Sequence, residues 1–328
     1  MKINYLLFLV LLLLTPVSVV AQTKNIDQSI DLDIKFKHNN NSVYLKRRYL
    51  INQQKNIKDL SSQQLDKVAK IIENHYLNKK NIADLPTQFT LQESIKIQNI
   101  FLRLLMLKSG KIIGYKAGLT NKKIQTRFNT NQPVLGSLLE KMLLPSGTTI
   151  SPEFGAIPML EGDLIVRVKN EDINQAKTAE EVLQSLDTVI PFLELPDLMY
   201  AKNVQLNKEM LIAINVGARL GIIGQAIALE ATKEWYNRLN NIQVIITDQS
   251  GQKLAKGNSK ALLGDPLKVV LWIKNQLQSQ GKSLQKGDLL SLGSITPLIP
   301  VKAGQTISAN YIGLNKNSQI QISVHFDD

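Results

Sequence analysis

The feature that most constrains the fold is a change of hydrophobic period near Gly110. Before it, residues 62–80 repeat apolar positions every three or four residues, as an amphipathic helix does. A second segment of the same period opens with a capping box formed by Thr90 and Glu93. After Gly110 the apolar residues alternate in short runs separated by turns. The pattern predicts an α+β chain, with N-terminal helices followed by a mostly β body.

The strands of this body are predicted from short alternating or apolar runs bounded by turn residues. They lie at 111–115, 160–168, 189–195, 287–293, 305–312 and 319–325, with a hairpin at 242–257. One embedded helix has Asp265 as N-cap, Pro266 at its first position and Gly281 at its end, and another follows Asn121. The sequence therefore predicts one domain over 61–328 with one or two helices embedded in it.

The N-terminus is typical of an export signal. Lys2 is followed by an uncharged stretch from Tyr5 to Ala21, dominated by leucines and ending in small residues. A membrane anchor is the alternative, but the apolar stretch is at the short end of what spans a bilayer. We expect cleavage after residues 1–21, a periplasmic or secreted mature chain, and no stable membrane span. Residues 22–60 are rich in Asn, Gln, Lys and Asp and predict a poorly ordered or loosely attached leader.

Composition excludes several kinds of site. The 328 residues contain no cysteine and three scattered histidines, which excludes thiolate metal sites and makes a histidine-based triad improbable. The net charge of +12 is spread along the chain, and aromatic residues make up 5%. A nucleic-acid surface needs a basic stripe with aromatic side chains for stacking, and the sequence shows neither. We therefore expect no nucleic-acid partner, and the positive charge favours small anionic substrates.

Two carboxylates stand out on the strand at 160–168. Successive side chains of a strand alternate between faces, so Glu161 and Asp163 share one face. Two adjacent carboxylates repel unless a cation lies between them or one is protonated. The alternative is that this face is exposed to solvent and that the two acids pair with neighbouring lysines. The spacing of the two acids, taken alone, favours this alternative.

A third carboxylate, Glu194, lies in the apolar stretch 190–196, where an ionised acid needs a partner. Three such acids without Cys or His indicate an all-oxygen site for Mg²⁺ or Mn²⁺ rather than zinc. Lys116, between Gly114 and Gly118, can hold a substrate carboxylate or move a proton. Helix capping alone accounts for Asp265.

Five motifs in register resemble the 2-keto-4-pentenoate hydratase / 4-oxalocrotonate decarboxylase family of the fumarylacetoacetate hydrolase-like superfamily. They are Gly114-Tyr-Lys-Ala-Gly-Leu-Thr120, Glu161-x-Asp163, Phe192-Leu-Glu194, Leu263-Gly-Asp-Pro266 and Gly287-Asp…Gly293-Ser-Ile-Thr-Pro297. The resemblance extends from about residue 62 to the C-terminus. It implies a mixed β-sheet roll, a homo-oligomer, and one divalent metal ion acting on a small 2-oxo or 2-hydroxy acid.

The resemblance also implies roles for single residues. Glu161, Asp163 and Glu194 match the metal-binding acids, with Asp163 where glutamate is usual, and Lys116 matches the active-site lysine. Leu119, Ser294 and Thr296 match the substrate-binding positions. The implied reaction is addition of water to a 2-hydroxy-2,4-dienoate, with decarboxylation of 2-oxo-3-hexenedioate as the alternative.

Some expected residues are absent. No acid precedes Gly136, Met159 stands in place of an arginine, Ile214 in place of an aspartate, and Asp265 in place of a histidine. These departures leave open a third interpretation, an exported binding protein of the same fold without turnover. The stretch Pro133-Val-Leu-Gly136 is closer to the decarboxylase branch.

Overall fold

The structure is a computed structural model. It describes the backbone of residues 18–26, 29–38 and 41–50, and backbone and side chains of 59–85, 88–315 and 319–328. The chain divides into two units, residues 1–59 and 60–328. No helix among the described residues is long and apolar enough to cross a membrane.

The first unit contains three antiparallel strands in the order β1-β2-β3. They are β1 Ser18–Ile26, β2 Ser29–His38 and β3 Asn41–Leu50. The sequence analysis predicted no strands here. A period-two pattern is present beneath the polar composition, since Ile30, Leu32, Ile34 and Phe36 alternate with charged residues. A poorly ordered or loosely attached leader over 22–60 stays a prediction. The signal peptide remains a prediction, because most of residues 1–21 lie outside the described part.

The second unit opens with two packed helices, as their period predicts. They are α1 Ser62–Leu77 and α2 Leu91–Ser109. The predicted capping box of α2 is present, because the Glu93 backbone N–H donates to Thr90 Oγ1 (3.2 Å) and the Thr90 N–H to Glu93 Oε2 (2.7 Å). Apolar residues of both helices, including Ile72, Ile97 and Phe101, form one buried cluster.

Among the described residues, five further α-helices lie between the strands of this unit. They are α3 Lys122–Arg127, α4 Ala179–Gln184, α5 Lys208–Ala213, α6 Lys233–Leu239 and α7 Pro266–Ser279. Only α3 and α7 were predicted, so the expectation of one or two embedded helices was too low. Helices of six or seven residues, such as α4, α5 and α6, are too short to establish a helical period.

A nine-stranded mixed sheet forms the centre of this unit. Its strands are β4 Ile112–Gly118, β5 Val134–Leu139, β6 Leu143–Pro145, β8 Met159–Val168, β9 Leu186–Leu195, β10 Leu220–Ile223, β11 Ile227–Ala228, β14 Leu289–Ser291 and β15 Ile299–Pro300. The order is β5-β4-β14-β8-β9-β10-β6, with β11 on β9 and β15 on β8. Strand β14 runs parallel to β4 and antiparallel to β8.

A second sheet of five strands packs against one face of the first. Its strands are β7 Thr149–Ile150, β12 Gln243–Asp248, β13 Lys253–Asn258, β16 Thr306–Ile312 and β17 Ile320–Phe326, in the order β13-β12-β16-β17-β7. Leu164 and Val166 of β8 share a buried cluster with Val244 and Ile307 of this sheet. The even-numbered residues of β8 therefore face the second sheet, and the odd-numbered ones face the other way.

Candidate metal and substrate site

Strand register gathers the predicted acids and the lysine on one face of the nine-stranded sheet. Glu161 of β8 is directly opposite Glu194 of β9, and Asp163 lies two residues further along the same face of β8. Lys116 of β4 reaches the same face, with β14 between it and β8. Lys116, Glu161, Asp163 and Glu194 are all at most 6% exposed. The alternative of a solvated strand face is therefore wrong.

Lys116 is fixed by two acceptors. Its Nζ forms an ion pair with Glu194 Oε1 and donates to the backbone carbonyl oxygen of Val216 at 3.1 Å. Gly136, opposite Lys116 on β5, makes room for the lysine stem. A Cβ at this position would lie 2.9 Å from Lys116 Cγ and 3.0 Å from the Asn215 carbonyl oxygen. A glycine is needed at this position because the Lys116 side chain and the Asn215 backbone already occupy the space that a Cβ would fill.

The carbonyl that meets Lys116 belongs to a strained turn. Asn215 and Val216 have φ angles of 54° and 55°, in the left-handed region that β-branched residues avoid. The Asn215 amide fixes the turn, since its Oδ1 accepts from the Ser137 N–H (2.7 Å) and its Nδ2 donates to the Ser137 carbonyl (2.8 Å). The two hydrogen bonds of Asn215 hold the turn in its strained conformation and thereby fix the Val216 carbonyl. This carbonyl in turn helps to position the Lys116 ammonium group.

Glu161 and Glu194 are two buried acids that face each other across neighbouring strands. Burial and the negative charge of Glu194 raise the pKa of Glu161 to about 8, opposed by a hydrogen bond from Ser294 and the charge of Lys116. The second oxygen of Glu194, Oε2, is buried and has no hydrogen-bond partner among the residues that the structure describes. A buried carboxylate oxygen without a partner, beside a second carboxylate, is a position that a cation would stabilise.

Asp163 is fully buried, and both of its oxygens have partners within the chain. Ser291 Oγ donates to Oδ2 at 2.5 Å, and the Leu164 backbone N–H donates to Oδ1 at 2.5 Å. Burial and the charge of Glu194 raise the pKa of Asp163 well above its usual value, opposed by these two hydrogen bonds. Tyr311 Oη supports the strand beneath by donating to the Asp163 backbone carbonyl at 2.9 Å.

The predicted substrate-binding residues lie on two loops beside the acids. Leu119 follows β4 and has a φ of 57°, while Ser294 and Thr296 follow β14. Ser294 hydrogen-bonds to Glu161. Thr296 Oγ1 accepts from the Gly162 backbone N–H at 2.9 Å, which fixes the loop to β8 between the two acids. The loops thus border the site, and the substrate-binding roles of these three residues stay predictions.

Two other acids near the motifs have structural roles. The Asp265 side chain accepts from the Leu267 N–H at 2.9 Å and caps α7, as predicted. The Asp197 carboxylate accepts from the backbone N–H groups of Ile157 (2.8 Å) and Ala156 (3.0 Å). These hydrogen bonds explain why both acids are buried at these positions without invoking a bound ligand.

The charges at the site do not balance. Three buried carboxyl groups face one ammonium group. Burial is the main cause that raises the pKa of Glu161 and of Asp163, and the negative charge of Glu194 adds to it. Across the described part of the chain, no group of three His, Asp or Glu side chains is arranged to hold a metal ion. One oxygen of Glu194 contacts Lys116, and one oxygen of Asp163 accepts a hydrogen bond from Ser291. The three acids are therefore neighbours, but their oxygens do not surround a common point.

Known proteins resemble this chain over most of its length. It is 25% identical to a 2-hydroxyhexa-2,4-dienoate hydratase from Comamonas testosteroni over 225 residues, which cover 68% of this chain and 83% of the relative. It is 24% identical to a 4-oxalocrotonate decarboxylase from Pseudomonas putida over 266 residues, covering 79% and 97%. No protein-family model matches the chain.

A solved structure extends the likeness to the fold. The 4-oxalocrotonate decarboxylase from Pseudomonas putida G7, complexed with magnesium and adipate, superposes with a TM-score of 0.73 at 25% identity, covering 81% of this chain and 98% of that one. The chain resembles the hydratase/decarboxylase family in both sequence and fold. The family resemblance and the mixed-sheet fold expected from the five motifs are thereby confirmed.

Three contributors to the site were not predicted from the sequence. They are Ser291, which contacts Asp163, the Val216 carbonyl, which contacts Lys116, and Tyr311, which supports β8 and β9. Ser291 gives the only usable signal, as a hydroxyl within the apolar run Leu289-Leu-Ser-Leu292. A contact made by a backbone carbonyl cannot be predicted from residue type, because every residue has one. A tyrosine in a strand is ordinarily interpreted as a core residue.

Proposed function

We propose that the chain is a divalent-metal-dependent hydro-lyase that adds water to a 2-hydroxy-2,4-dienoate to give a 4-hydroxy-2-oxo acid. The observation that carries the proposal is the placement of Lys116 against buried acids on one sheet face. Similarity to the dienoate hydratase of Comamonas testosteroni supports the substrate class.

The donor set fits a Mg²⁺ or Mn²⁺ ion. The three acids offer carboxylate oxygens, which hard divalent cations prefer. Within the described part of the chain, Glu194 Oε2 has no hydrogen-bond partner. Glu161, Asp163 and Glu194 would hold the ion, whose charge would offset their mutual repulsion. When bound, such an ion supplies Lewis-acid stabilisation of negative charge on substrate oxygens. The magnesium-bound decarboxylase structure supports this assignment.

Lys116 supplies the proton chemistry in this proposal. A lysine ammonium has three N–H donors, and the described contacts of Lys116 use two, to Glu194 and the Val216 carbonyl. The third can hold the substrate carboxylate or carry a proton to the dienoate carbon chain. Because the site is buried, bulk water does not compete with these contacts.

Decarboxylation of 2-oxo-3-hexenedioate is the second candidate. It is favoured by the extent of the match, since the alignment covers 97% of the Pseudomonas putida decarboxylase and 83% of the Comamonas testosteroni hydratase. Both reactions place negative charge on the same part of an unsaturated 2-oxo acid, so the metal and Lys116 would serve either.

An assay with both substrates tests the proposal. The purified chain is supplied with 2-hydroxypenta-2,4-dienoate or 2-oxo-3-hexenedioate, in Mg²⁺, in Mn²⁺ or in EDTA. We expect metal-dependent loss of dienoate absorbance with a 4-hydroxy-2-oxo acid as product. Release of CO₂ from the dioate instead would establish the decarboxylase. No turnover of either by a folded chain that binds Mn²⁺ would favour a binding protein.

We also propose that the chain is exported and assembles as a homo-oligomer. The apolar N-terminal stretch supports export, and the family resemblance supports assembly. N-terminal sequencing of protein from fractionated cells tests the first proposal, with a mature chain starting near Gln22 expected. Light scattering of the purified protein tests the second, and a mass of one chain would refute it.

A further inference from the structure

Ser291 lies at the centre of the site, although it is not one of the named residues of the five motifs. It ends β14, where it pairs with Lys116 of β4 on one side and Ile165 of β8 on the other. Directly opposed residues of neighbouring strands point to the same face, so Ser291 faces the same side as Lys116 and Asp163. It is fully buried. A hydroxyl in this position lies between the ammonium and the carboxylates.

The Ser291 hydroxyl is committed to one partner. Its Oγ donates to Asp163 Oδ2 at 2.5 Å, while the Leu164 N–H donates to Oδ1. Each oxygen of Asp163 is therefore held by one donor, and the carboxylate cannot rotate without breaking both bonds. A carboxylate has about four lone-pair positions, so two remain for a cation.

We infer that Ser291 is a positioning residue, which holds the short Asp163 side chain in the orientation needed to serve with Glu161 and Glu194. Aspartate reaches one methylene less far than the two glutamates, so its carboxylate depends more on a fixed rotamer. Outer contacts of this kind orient metal ligands in many proteins. The inference rests on the proposed metal site and adds a residue that the resemblance does not assign.

Mn²⁺ binding measured by electron paramagnetic resonance tests the inference without requiring turnover. We expect Ser291→Ala to weaken Mn²⁺ binding about 10- to 100-fold, the usual effect of removing an outer-sphere partner. Ser291→Thr keeps the hydroxyl and should bind within a few-fold of wild type. Ser259→Ala is the matched control, because Ser259 is also fully buried, with its Oγ accepting from the Ile242 N–H. It should leave Mn²⁺ affinity unchanged.

A double-mutant cycle separates positioning from a general effect on the fold. In an Asp163→Asn background, Ser291→Ala should change Mn²⁺ affinity by less than about two-fold, because its partner carboxylate is gone. Unchanged affinity in Ser291→Ala, or an equal loss in Ser259→Ala, would overturn the inference while leaving the metal site intact. Absence of Mn²⁺ binding in wild type would instead overturn the proposed function and the inference with it.

A crystal structure of the wild-type Mn²⁺ complex decides the matter if Ser291→Ala does not fold. Ser291 Oγ within about 3 Å of an Asp163 oxygen that also contacts the ion would support the inference. An Asp163 carboxylate turned away from Ser291 in that complex would overturn it.

Discussion

Glu161 makes the stability of the metal-free protein depend on pH. Its pKa is about 8 in the folded chain, against an ordinary value of 4.5. Between these values the folded state holds a proton that the unfolded state has lost, so the free energy of unfolding falls as pH rises. Integrated from pH 5 to pH 8, this difference corresponds to roughly 4 kcal/mol. Asp163, whose pKa is also raised, acts in the same sense.

The assay is urea unfolding in EDTA at pH 5 and pH 8, for wild type and for Glu161→Gln. The other ionisable groups are the same in both proteins, so the difference between the two proteins reports on Glu161. Wild type should lose roughly 4 kcal/mol more than the variant over this range. Mg²⁺ should reverse the trend for wild type, because a bound cation favours the ionised acids. Parallel curves in EDTA would refute the claim that Glu161 holds a proton in the folded, metal-free chain between pH 5 and pH 8.

Three substitutions give further tests. Lys116→Met should lower kcat about 1,000-fold in a chain that still folds by circular dichroism, because it removes the proposed proton carrier. Gly136→Ala places a Cβ 2.9 Å from Lys116 Cγ and should lower kcat about 10- to 100-fold by displacing the lysine. Arg219→Ala removes a guanidinium that lies 3.9 Å from the centroid of the Tyr76 ring and 3.7 Å from the carboxylate of buried Asp197. This substitution should lower the free energy of unfolding in urea by about 3 kcal/mol, because it leaves Asp197 without its cation.

Each of these outcomes can fail in an informative way. Full activity in Lys116→Met would exclude the lysine from proton transfer. Loss of folding in Gly136→Ala would show that the glycine serves packing rather than the lysine. Unchanged stability of Arg219→Ala would mean that the backbone N–H donors of Asp197 already satisfy its charge.

Much of the fold follows from local sequence. The capping box at Thr90, the N-cap at Asp265 and the alternation of β8 each depend on neighbours within a few residues, so the sequence predicts them directly. The shared face of Glu161 and Asp163 follows from strand alternation alone. Glu194 could be suspected because an acid in an apolar strand needs a partner.

The remainder of the site depends on contacts between distant segments. Ser291 meets Asp163 across 128 positions of sequence, and the Val216 carbonyl meets Lys116 across 100. Strand order and register decide both contacts, and neither is encoded in local periodicity. The left-handed turn at Asn215 and Val216 is likewise held by contacts with β5 rather than by its own residue types.

The most direct test of the metal site is anomalous diffraction from crystals of the full chain grown with Mn²⁺. We predict a single strong peak within about 2.5 Å of carboxylate oxygens of Glu161 and Glu194, on the face of the sheet that carries Lys116. The same peak should vanish in crystals of Glu194→Gln. A peak elsewhere, or none at saturating Mn²⁺, would contradict the account.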